Sequence, residues 1–354
     1  MKAKNILLIS VLLQSILGLI MITSSSYIWA EYKFNDPYKY FKSQFVFFII
    51  SIIIMYIVSK LDYSLYFKHS KKIFISCLSL LILVLIPGIG TIRNGSRSWF
   101  GIGSLGIQPS EFMKLAMIIF ISKYLSLNEK KVKKNCFKVL FIILSIFGLI
   151  MLQPDFGTGI VIVMIGIALL YIAGVNMKFF IKLGLLGIIG IVILIIIAPY
   201  RLKRIVSFLN PWSDPLGSGF QIIMSLYAIG PGGLFGYGLG NSRQKHFYLP
   251  EPQTDFIFSI ILEELGFMGC IIVVALFLGI IISGFIISKK CNNLFGKYVS
   301  FGITFWIAFQ SILNLFVVVG LIPVTGVTLP FLSYGGSSLL ILYIGVAIIL
   351  NIAK

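Results

Sequence analysis

Apolar segments of about 20 residues recur along this chain and constrain its fold more than any other feature. A helix needs about 20 mostly apolar residues to cross the hydrocarbon core of a bilayer. Of the 354 residues, 58% are hydrophobic and only 11% are charged, far below the charge content of a water-soluble domain. The sequence therefore predicts an all-α, polytopic integral membrane protein whose single transmembrane domain covers residues 1–354.

The apolar segments predict ten transmembrane helices and one large loop. The predicted spans are residues 5–25, 42–59, 72–87, 110–127, 137–152, 157–174, 179–198, 256–288, 298–320 and 330–351. The large loop lies between spans 7 and 8, at about 199–254, and a short interfacial helix is predicted within it at 219–229. The first span could be a signal peptide, but no small-x-small cleavage motif follows it, which favours a retained helix.

The basic residues predict how the chain is oriented. With the N-terminus inside, most of the 29 lysines and arginines fall in the inner segments, as the positive-inside rule requires. An even number of spans then leaves both termini in the cytoplasm. This distribution accounts for the net charge of +18 without nucleic acid, which we exclude as a partner. The remaining cations are expected to meet anionic lipid head groups and pyrophosphates. His69 and His246 are far apart and the cysteines lack zinc spacing, so we predict no metal site formed by the protein alone.

The outer segments carry the prolines, three of the four tryptophans and most of the acids, so we expect function on the external face. Residues 249–264 hold four of the 11 acidic residues: Glu251, Asp255, Glu263 and Glu264. Placing an ionisable group at membrane depth costs free energy, and such groups usually have a function. A helix projected from Asp255 at 100° per residue places Gly266 on the same face and Glu264 opposite. This projection favours Asp255 as the reactive acid of an outward cavity and Glu264 as a structural residue paired with another helix.

Two earlier outer segments add candidate binding residues. Arg97 and Trp99 could hold a phosphate and stack on a sugar, or could simply anchor the chain at the interface. Glu111 and Lys114 are three residues apart at a helix start and share a face. Lys114 needs an acidic partner, either Glu111 or the more distant Asp255.

Further candidates lie at the other helix starts and in the large loop. Asp155 follows a Gln-Pro pair at a helix start, where it could act only as an N-terminal stabiliser. Arg243 and Lys245 belong to a polar cluster suited to an anionic head group. Ser333 and Ser337 lie at a glycine-softened helix start, where broken backbone either lines a cavity or is buried in protein.

Several of these outer motifs resemble those of the SEDS family (shape, elongation, division and sporulation), which comprises FtsW, RodA and SpoVE. The motifs are Gln153-Pro-Asp-Phe-Gly-Thr158, Gln244-Lys-His-Phe-Tyr-Leu-Pro-Glu-Pro-Gln-Thr-Asp255, Glu263-Glu-Leu-Gly266 and Pro330-Phe-Leu-Ser-Tyr-Gly-Gly-Ser-Ser338. The resemblance covers nearly the whole chain and is greater to the FtsW and SpoVE branch than to RodA. Gln253 stands where many members carry histidine.

The resemblance implies a ten-span peptidoglycan glycosyltransferase that polymerises lipid II outside the membrane. It also implies a partner, a class B penicillin-binding protein with transpeptidase activity, together with other division or sporulation proteins. By the same resemblance, Asp255 is the essential acid and Trp99 is important.

These observations lead to a hypothesis in which Asp255 is the general base of an inverting transfer. Arg243, Lys245, Arg97 or a divalent cation (Mg²⁺ or Mn²⁺) would neutralise the leaving pyrophosphate. A lipid II flippase and a non-catalytic scaffold for a transpeptidase remain the alternatives.

Overall fold

The computed structural model describes residues 2–93, 95–101, 106–197 and 208–354. Each of the ten predicted spans overlaps a helix of at least 17 residues in these ranges, and the predicted interfacial helix is present as α8. The helices are α1 Ala3–Phe34, α2 Lys39–Lys60, α3 Ser64–Leu83, α4 Pro109–Leu127, α5 Val132–Met151, α6 Phe156–Ile172, α7 Met177–Ile197, α8 Phe220–Ile229, α9 Ile257–Lys290, α10 Leu294–Val318 and α11 Gly336–Ile352.

Four of the described helices are long and apolar enough to cross a membrane by length and composition: α1, α2, α9 and α10. The shorter apolar helices include α6 and α11. The prediction of an all-α membrane protein is confirmed, whereas the count of ten spans stays a prediction.

Three helix boundaries differ clearly from the predicted ones. Helix α1 continues to Phe34, nine residues beyond its predicted end, because its last turns pack against the large loop through Trp29 and Phe247. Helix α3 begins at Ser64 instead of residue 72. Helix α11 begins at Gly336 instead of residue 330.

The segment before α11 is irregular but buried, which is the condition under which broken backbone is tolerated at membrane depth. Phe331 and Leu332 are almost fully buried. Gly18 of α1 lies against the backbone of both residues, where a Cβ atom would collide with the Phe331 carbonyl. This close approach fixes the segment against α1.

Helix α10 is central to the bundle. It packs against α4, α6, α9 and α11, and also touches α8. Its Trp306 is completely buried, as is Tyr343 of α11. The other major contacts join α1 to α9, α2 to α11, α3 to α4 and α5 to α6.

A small hairpin, which the sequence analysis did not predict, precedes α4. Strands β1 (Thr91–Arg93) and β2 (Ser96–Trp99) pair antiparallel. The Ser96 hydroxyl donates to the Gln153 carbonyl, which ties the hairpin to the turn between α5 and α6. The hairpin therefore lies beside the start of α6.

Helix α9 is interrupted at Gly266, whose φ of 62° and ψ of −157° are available only to glycine. The glycine-rich part of the large loop packs into this break. Tyr237 N–H donates to the Glu263 carbonyl (2.9 Å), and Phe267 N–H donates to the Gly233 carbonyl (2.9 Å). The loop thus replaces the helical hydrogen bonds lost at the break.

Candidate active site

Asp255 lies two residues before the start of α9, in the last turn of the large loop. Its backbone carbonyl accepts a hydrogen bond from the Asn314 side-chain amide of α10 (2.8 Å). A Cβ atom at Gly326 would lie 3.7 Å from the Asp255 Oδ2 atom, so the backbone of residue 326 borders the carboxylate. Part of Asp255 remains accessible, as expected for a residue in the wall of a cavity.

The environment of Asp255 favours its neutral form. Desolvation by the surrounding protein raises the pKa of Asp255 to about 7, and the nearby carboxylates of Glu251 and Asp155 add to the shift. A carboxyl group in this range can accept a proton near neutral pH, which is the property a general base requires.

Asp155 caps α6, and the predicted role as an N-terminal stabiliser is confirmed. Its Oδ1 atom accepts from the Thr158 N–H (3.1 Å), and its Oδ2 atom accepts from the Gln108 amide (3.1 Å). Desolvation raises the pKa of Asp155 as well. Because it also acts on Asp255 through its charge, Asp155 belongs to the same acidic cluster.

Glu111 and Lys114 form a buried ion pair one turn into α4. The Lys114 Nζ atom lies 2.7 Å from Glu111 Oε1, so Glu111 is the acidic partner and Asp255 is not. Lys114 also donates to the Gln310 Oε1 atom (3.0 Å) and lies 4.9 Å above the Trp306 ring. Both members of the pair are almost inaccessible, so this structure places them behind the surface of the site. Their direct contact with substrate stays a prediction.

Trp99 and Arg97 belong to strand β2, and both are partly exposed. The Arg93 guanidinium of β1 lies 4.7 Å above the Trp99 ring. This stacking fixes the indole while leaving part of its surface accessible to a ligand. Since the hairpin is tied to the turn that carries Asp155, it lies close to the acidic cluster.

Lys245, predicted to bind an anionic head group, is buried in this structure. Its ammonium group lies 3.1 Å from Glu264 Oε1 and also donates to the Gly240 carbonyl (2.5 Å). Glu264 accepts a further hydrogen bond from Ser24 of α1 (2.7 Å), which confirms that it pairs with another helix. The structure therefore gives Lys245 a structural partner, and its contact with substrate stays a prediction.

Arg243 remains available to a ligand. It is exposed and lines an open groove of about 510 Å³ with Gln244, His246 and Tyr248. Its backbone N–H donates to Glu263 Oε1 (2.8 Å), which fixes the base of the loop and leaves the side chain outside. Arg243 and Lys245 are thus neighbours in sequence with different environments.

Ser333 and Ser337 are both buried, and Ser333 contacts the loop that carries Asp255. The Ser333 hydroxyl donates to the Thr254 carbonyl (2.6 Å) and accepts from the Leu329 N–H (2.8 Å). The neighbouring Tyr334 N–H donates to the Gln253 carbonyl (2.9 Å). The segment before α11 therefore braces the two residues that precede Asp255. Contact of either serine with substrate stays a prediction.

Gln310 and Asn314 were not predicted as site residues from the sequence. Both are buried amides, one helical turn apart on α10. Asn314 contacts the backbone of Asp255, and Gln310 contacts Lys114. The available signal was two amides four residues apart within an apolar span, where polar groups are expensive and need partners.

Among the described residues, no group of three or more His, Cys, Asp or Glu side chains is arranged to hold a metal ion. The Glu111 Oε2 and Thr325 Oγ1 atoms are buried and have no hydrogen-bond partner within the described ranges. Mg²⁺ is often held by one or two carboxylates plus substrate phosphates. This oxygen-rich site fits such a shared ion better than a cage formed by the protein alone.

The fold and the site define a polytopic helical membrane protein that holds a desolvated carboxylate where α4, α6, α9 and α11 begin. The pattern of a family described as cell cycle protein, which comprises FtsW, RodA and SpoVE, matches residues 4–354. Stage V sporulation protein E of Bacillus subtilis (strain 168) is 52% identical over 352 residues, covering 99% of this chain and 96% of that protein. Probable peptidoglycan glycosyltransferase FtsW of Coxiella burnetii is 40% identical over 343 residues, covering 95% of this chain and 92% of that protein.

Solved structures agree with this assignment. A chain of a peptidoglycan synthase complex, described for its coordination of polymerization and crosslinking, has a TM-score of 0.78 and 28% identity, covering 98% of this chain and 96% of its own. The rod shape determining protein RodA of Thermus thermophilus has a TM-score of 0.73 and 25% identity. The match covers 98% of this chain and 95% of the RodA chain. This chain belongs to the FtsW/RodA/SpoVE family, as its motifs predicted.

Proposed function

We propose that this protein is a peptidoglycan glycosyltransferase that polymerises lipid II into glycan strands. The observation that carries the proposal is the Asp255 carboxyl group, partly accessible at the helix starts, with a pKa raised to about 7. The family relatives named as probable peptidoglycan glycosyltransferases support the reaction class.

In the proposed reaction, Asp255 takes the proton from the 4-hydroxyl of the acceptor N-acetylglucosamine. The oxygen attacks the anomeric carbon of the donor sugar as the bond from that carbon to the pyrophosphate oxygen breaks. Undecaprenyl pyrophosphate leaves with the bonding electron pair, and the anomeric configuration is inverted. Desolvation makes the Asp255 carboxylate a stronger base than a solvated one, which favours this proton transfer.

The leaving pyrophosphate carries negative charge that must be neutralised in the transition state. Arg97 and Arg243 are the stronger candidates, because Arg97 is partly exposed and Arg243 is exposed. Lys245 is the weaker candidate, since its ammonium group is held by Glu264. A divalent cation such as Mg²⁺ or Mn²⁺, when bound, would supply further charge neutralisation.

We place the active site on the outer side of the cytoplasmic membrane, with both termini in the cytoplasm. The basic inner loops support this orientation under the positive-inside rule. We propose a class B penicillin-binding protein as the partner, together with other division or sporulation proteins. The support is the similar chain within a complex that both polymerises and crosslinks peptidoglycan.

The test is an in vitro assay of lipid II polymerisation with purified protein and its transpeptidase partner. Asp255→Ala and Asp255→Asn should each lose about 10²–10⁴-fold in kcat, the usual contribution of positioned proton transfer. Asp36→Asn is the matched control, because Asp36 is an acid of another loop that pairs only with the exposed Lys42 among the described residues. Its activity should equal that of the unchanged protein.

The alternatives give other outcomes in the same experiment. Full polymerisation by Asp255→Ala would refute the general-base assignment. Movement of lipid II across vesicles without polymerisation would favour a flippase. Retained binding of the transpeptidase with no polymerisation by the unchanged complex would favour a scaffold. Adding a chelator to the assay tests whether a divalent cation is required.

A further inference from the structure

The irregular segment Thr325–Thr328, called here the 325–328 turn, lies beside Asp255 and beside the start of α6. Its Gly326 borders the Asp255 carboxylate. Its Thr325 carbonyl lies so close to Gly157 that a Cβ atom there would collide with it, which places the turn against the start of α6 beside Asp155. The position of this turn therefore bears on both acids.

Two amides of α10 hold the turn. The Asn314 Nδ2 atom donates to the Val327 carbonyl (2.8 Å), and the Gln310 Nε2 atom donates to the next carbonyl, Thr328 (3.0 Å). Asn314 and Gln310 are one helical turn apart, so they face the same side of α10. Both side chains are buried, which makes these hydrogen bonds costly to lose.

Each of these amides also reaches a charged residue of the site. Asn314 Nδ2 donates to the Asp255 carbonyl (2.8 Å), so one amide nitrogen joins the acid-bearing loop to the turn. Gln310 Oε1 accepts from the Lys114 ammonium (3.0 Å) and from the Trp306 indole N–H (2.7 Å). Gln310 has no free orientation, because exchanging its oxygen and nitrogen would break all three hydrogen bonds.

From this geometry we infer that Asn314 is a positioning residue for Asp255 in the proposed glycosyl transfer. It fixes the backbone of residue 255 to the 325–328 turn, while Gln310 fixes the same turn to Lys114. The amide pair thereby sets the distance between the reactive acid and the Glu111–Lys114 ion pair. Asn314 donates to the backbone carbonyl of residue 255, so it acts on the reaction through the position of Asp255. This inference rests on the proposed function.

The test compares Asn314→Leu with Ser311→Ala. Leucine has the shape of asparagine but donates no hydrogen bond. The substitution therefore removes the link between the Asp255 backbone and the 325–328 turn without leaving a cavity. Ser311 is the matched control, because it is buried on the same helix and, within the described ranges, its hydroxyl bonds only to the Ile307 carbonyl of that helix. Asn314→Ser, which retains a small polar side chain too short to span both carbonyls, repeats the test if the leucine variant fails to fold.

The first readout is steady-state polymerisation of lipid II, expressed per folded molecule. We expect Asn314→Leu to lose about 100-fold in kcat with KM within about threefold, since a displacement near 1 Å can cost this much. Ser311→Ala should keep both constants. An unchanged kcat per folded molecule in the Asn314 variants would overturn the inference.

The second readout does not depend on activity. It is hydrogen exchange followed by mass spectrometry. Backbone amides at residues 253–257 and 325–328 should exchange at least about tenfold faster in Asn314→Leu than in the unchanged protein, because the Asn314 hydrogen bonds no longer hold these two segments together. Ser311→Ala should not differ there. Unchanged exchange in both segments overturns the inference even if the protein proves to have another activity. Failure of the unchanged protein to polymerise lipid II, with faster exchange in Asn314→Leu, instead contradicts the proposed function alone.

Discussion

The Lys245 ammonium lies 3.1 Å from the Glu264 carboxylate, and both side chains are buried. The ion pair joins the large loop to α9, and the Glu264 carboxylate also accepts from Ser24 of α1. A cation placed in this way supports the architecture around the site, whereas its neighbour Arg243 remains exposed to a ligand. This difference between two basic residues of one motif leads to the first prediction.

Lys245→Met should destabilise the protein by about 3–5 kcal/mol, because it leaves the buried Glu264 carboxylate without its counterion. The measurement is the thermal unfolding temperature in detergent micelles. The double variant Lys245→Met/Glu264→Gln should recover most of the loss. Lys42→Met removes the exposed pair with Asp36 and should change the unfolding temperature little. If Lys245→Met unfolded at the same temperature as the unchanged protein, the structural role would be contradicted and Lys245 would again be a candidate for binding the substrate.

Activity and stability should respond to pH in opposite directions through Asp255. A general base must be ionised, so kcat should rise with pH and level off above the raised pKa of Asp255, which is about 7. Because the folded state holds this proton more tightly than the unfolded state, stability should fall as pH rises between the ordinary pKa of 3.8 and about 7.

Asp255→Asn tests this opposition, since asparagine resembles the protonated acid. The variant should unfold at a higher temperature than the unchanged protein at pH 8, and the difference should shrink towards pH 5. Thermal unfolding at both pH values measures the effect. A constant difference across this range would mean that Asp255 does not titrate there.

Gly266→Ala should destabilise the protein by about 3 kcal/mol or more. The alanine Cβ atom would lie 2.6 Å from the Leu234 carbonyl, in a backbone conformation that only glycine adopts readily. Gly148→Ala is the control, because Gly148 lies in α5 and no neighbour in the described part of the chain comes within 4 Å of its Cβ position. It should raise stability slightly through helix propensity. Equal unfolding temperatures for the two variants would contradict the role assigned to the break in α9.

Trp99→Ala should lower kcat/KM for lipid II by up to about tenfold, the value of one stacking interaction. Trp212→Ala is the matched control, since Trp212 is a partly exposed tryptophan of the large loop that contacts Tyr227. Its kcat/KM should stay unchanged. If both variants lost activity equally, Trp99 would be one of several interfacial anchors and not a substrate platform.

Much of the site could be predicted from the chain because its signals are local. Asp155 follows a Gln-Pro pair at a helix start, and it caps α6 as that position favours. Glu111 and Lys114 are three residues apart on one helix, which made Glu111 one of two possible partners, and the structure selects it over Asp255. The break at Gly266 was not located, because it depends on contacts with distant backbone.

The sequence by itself determined that the protein is a helical membrane protein, since long apolar runs cannot be hydrated at low cost, and it singled out Asp255 as a costly acid at a helix start. Only the tertiary structure decided which neighbours that acid has. The Asn314 amide comes from a position 59 residues away, and Lys245 meets Glu264 across the loop. The physical reason is that desolvation and hydrogen bonding depend on which distant segments pack together, and hydrophobic periodicity does not encode that information.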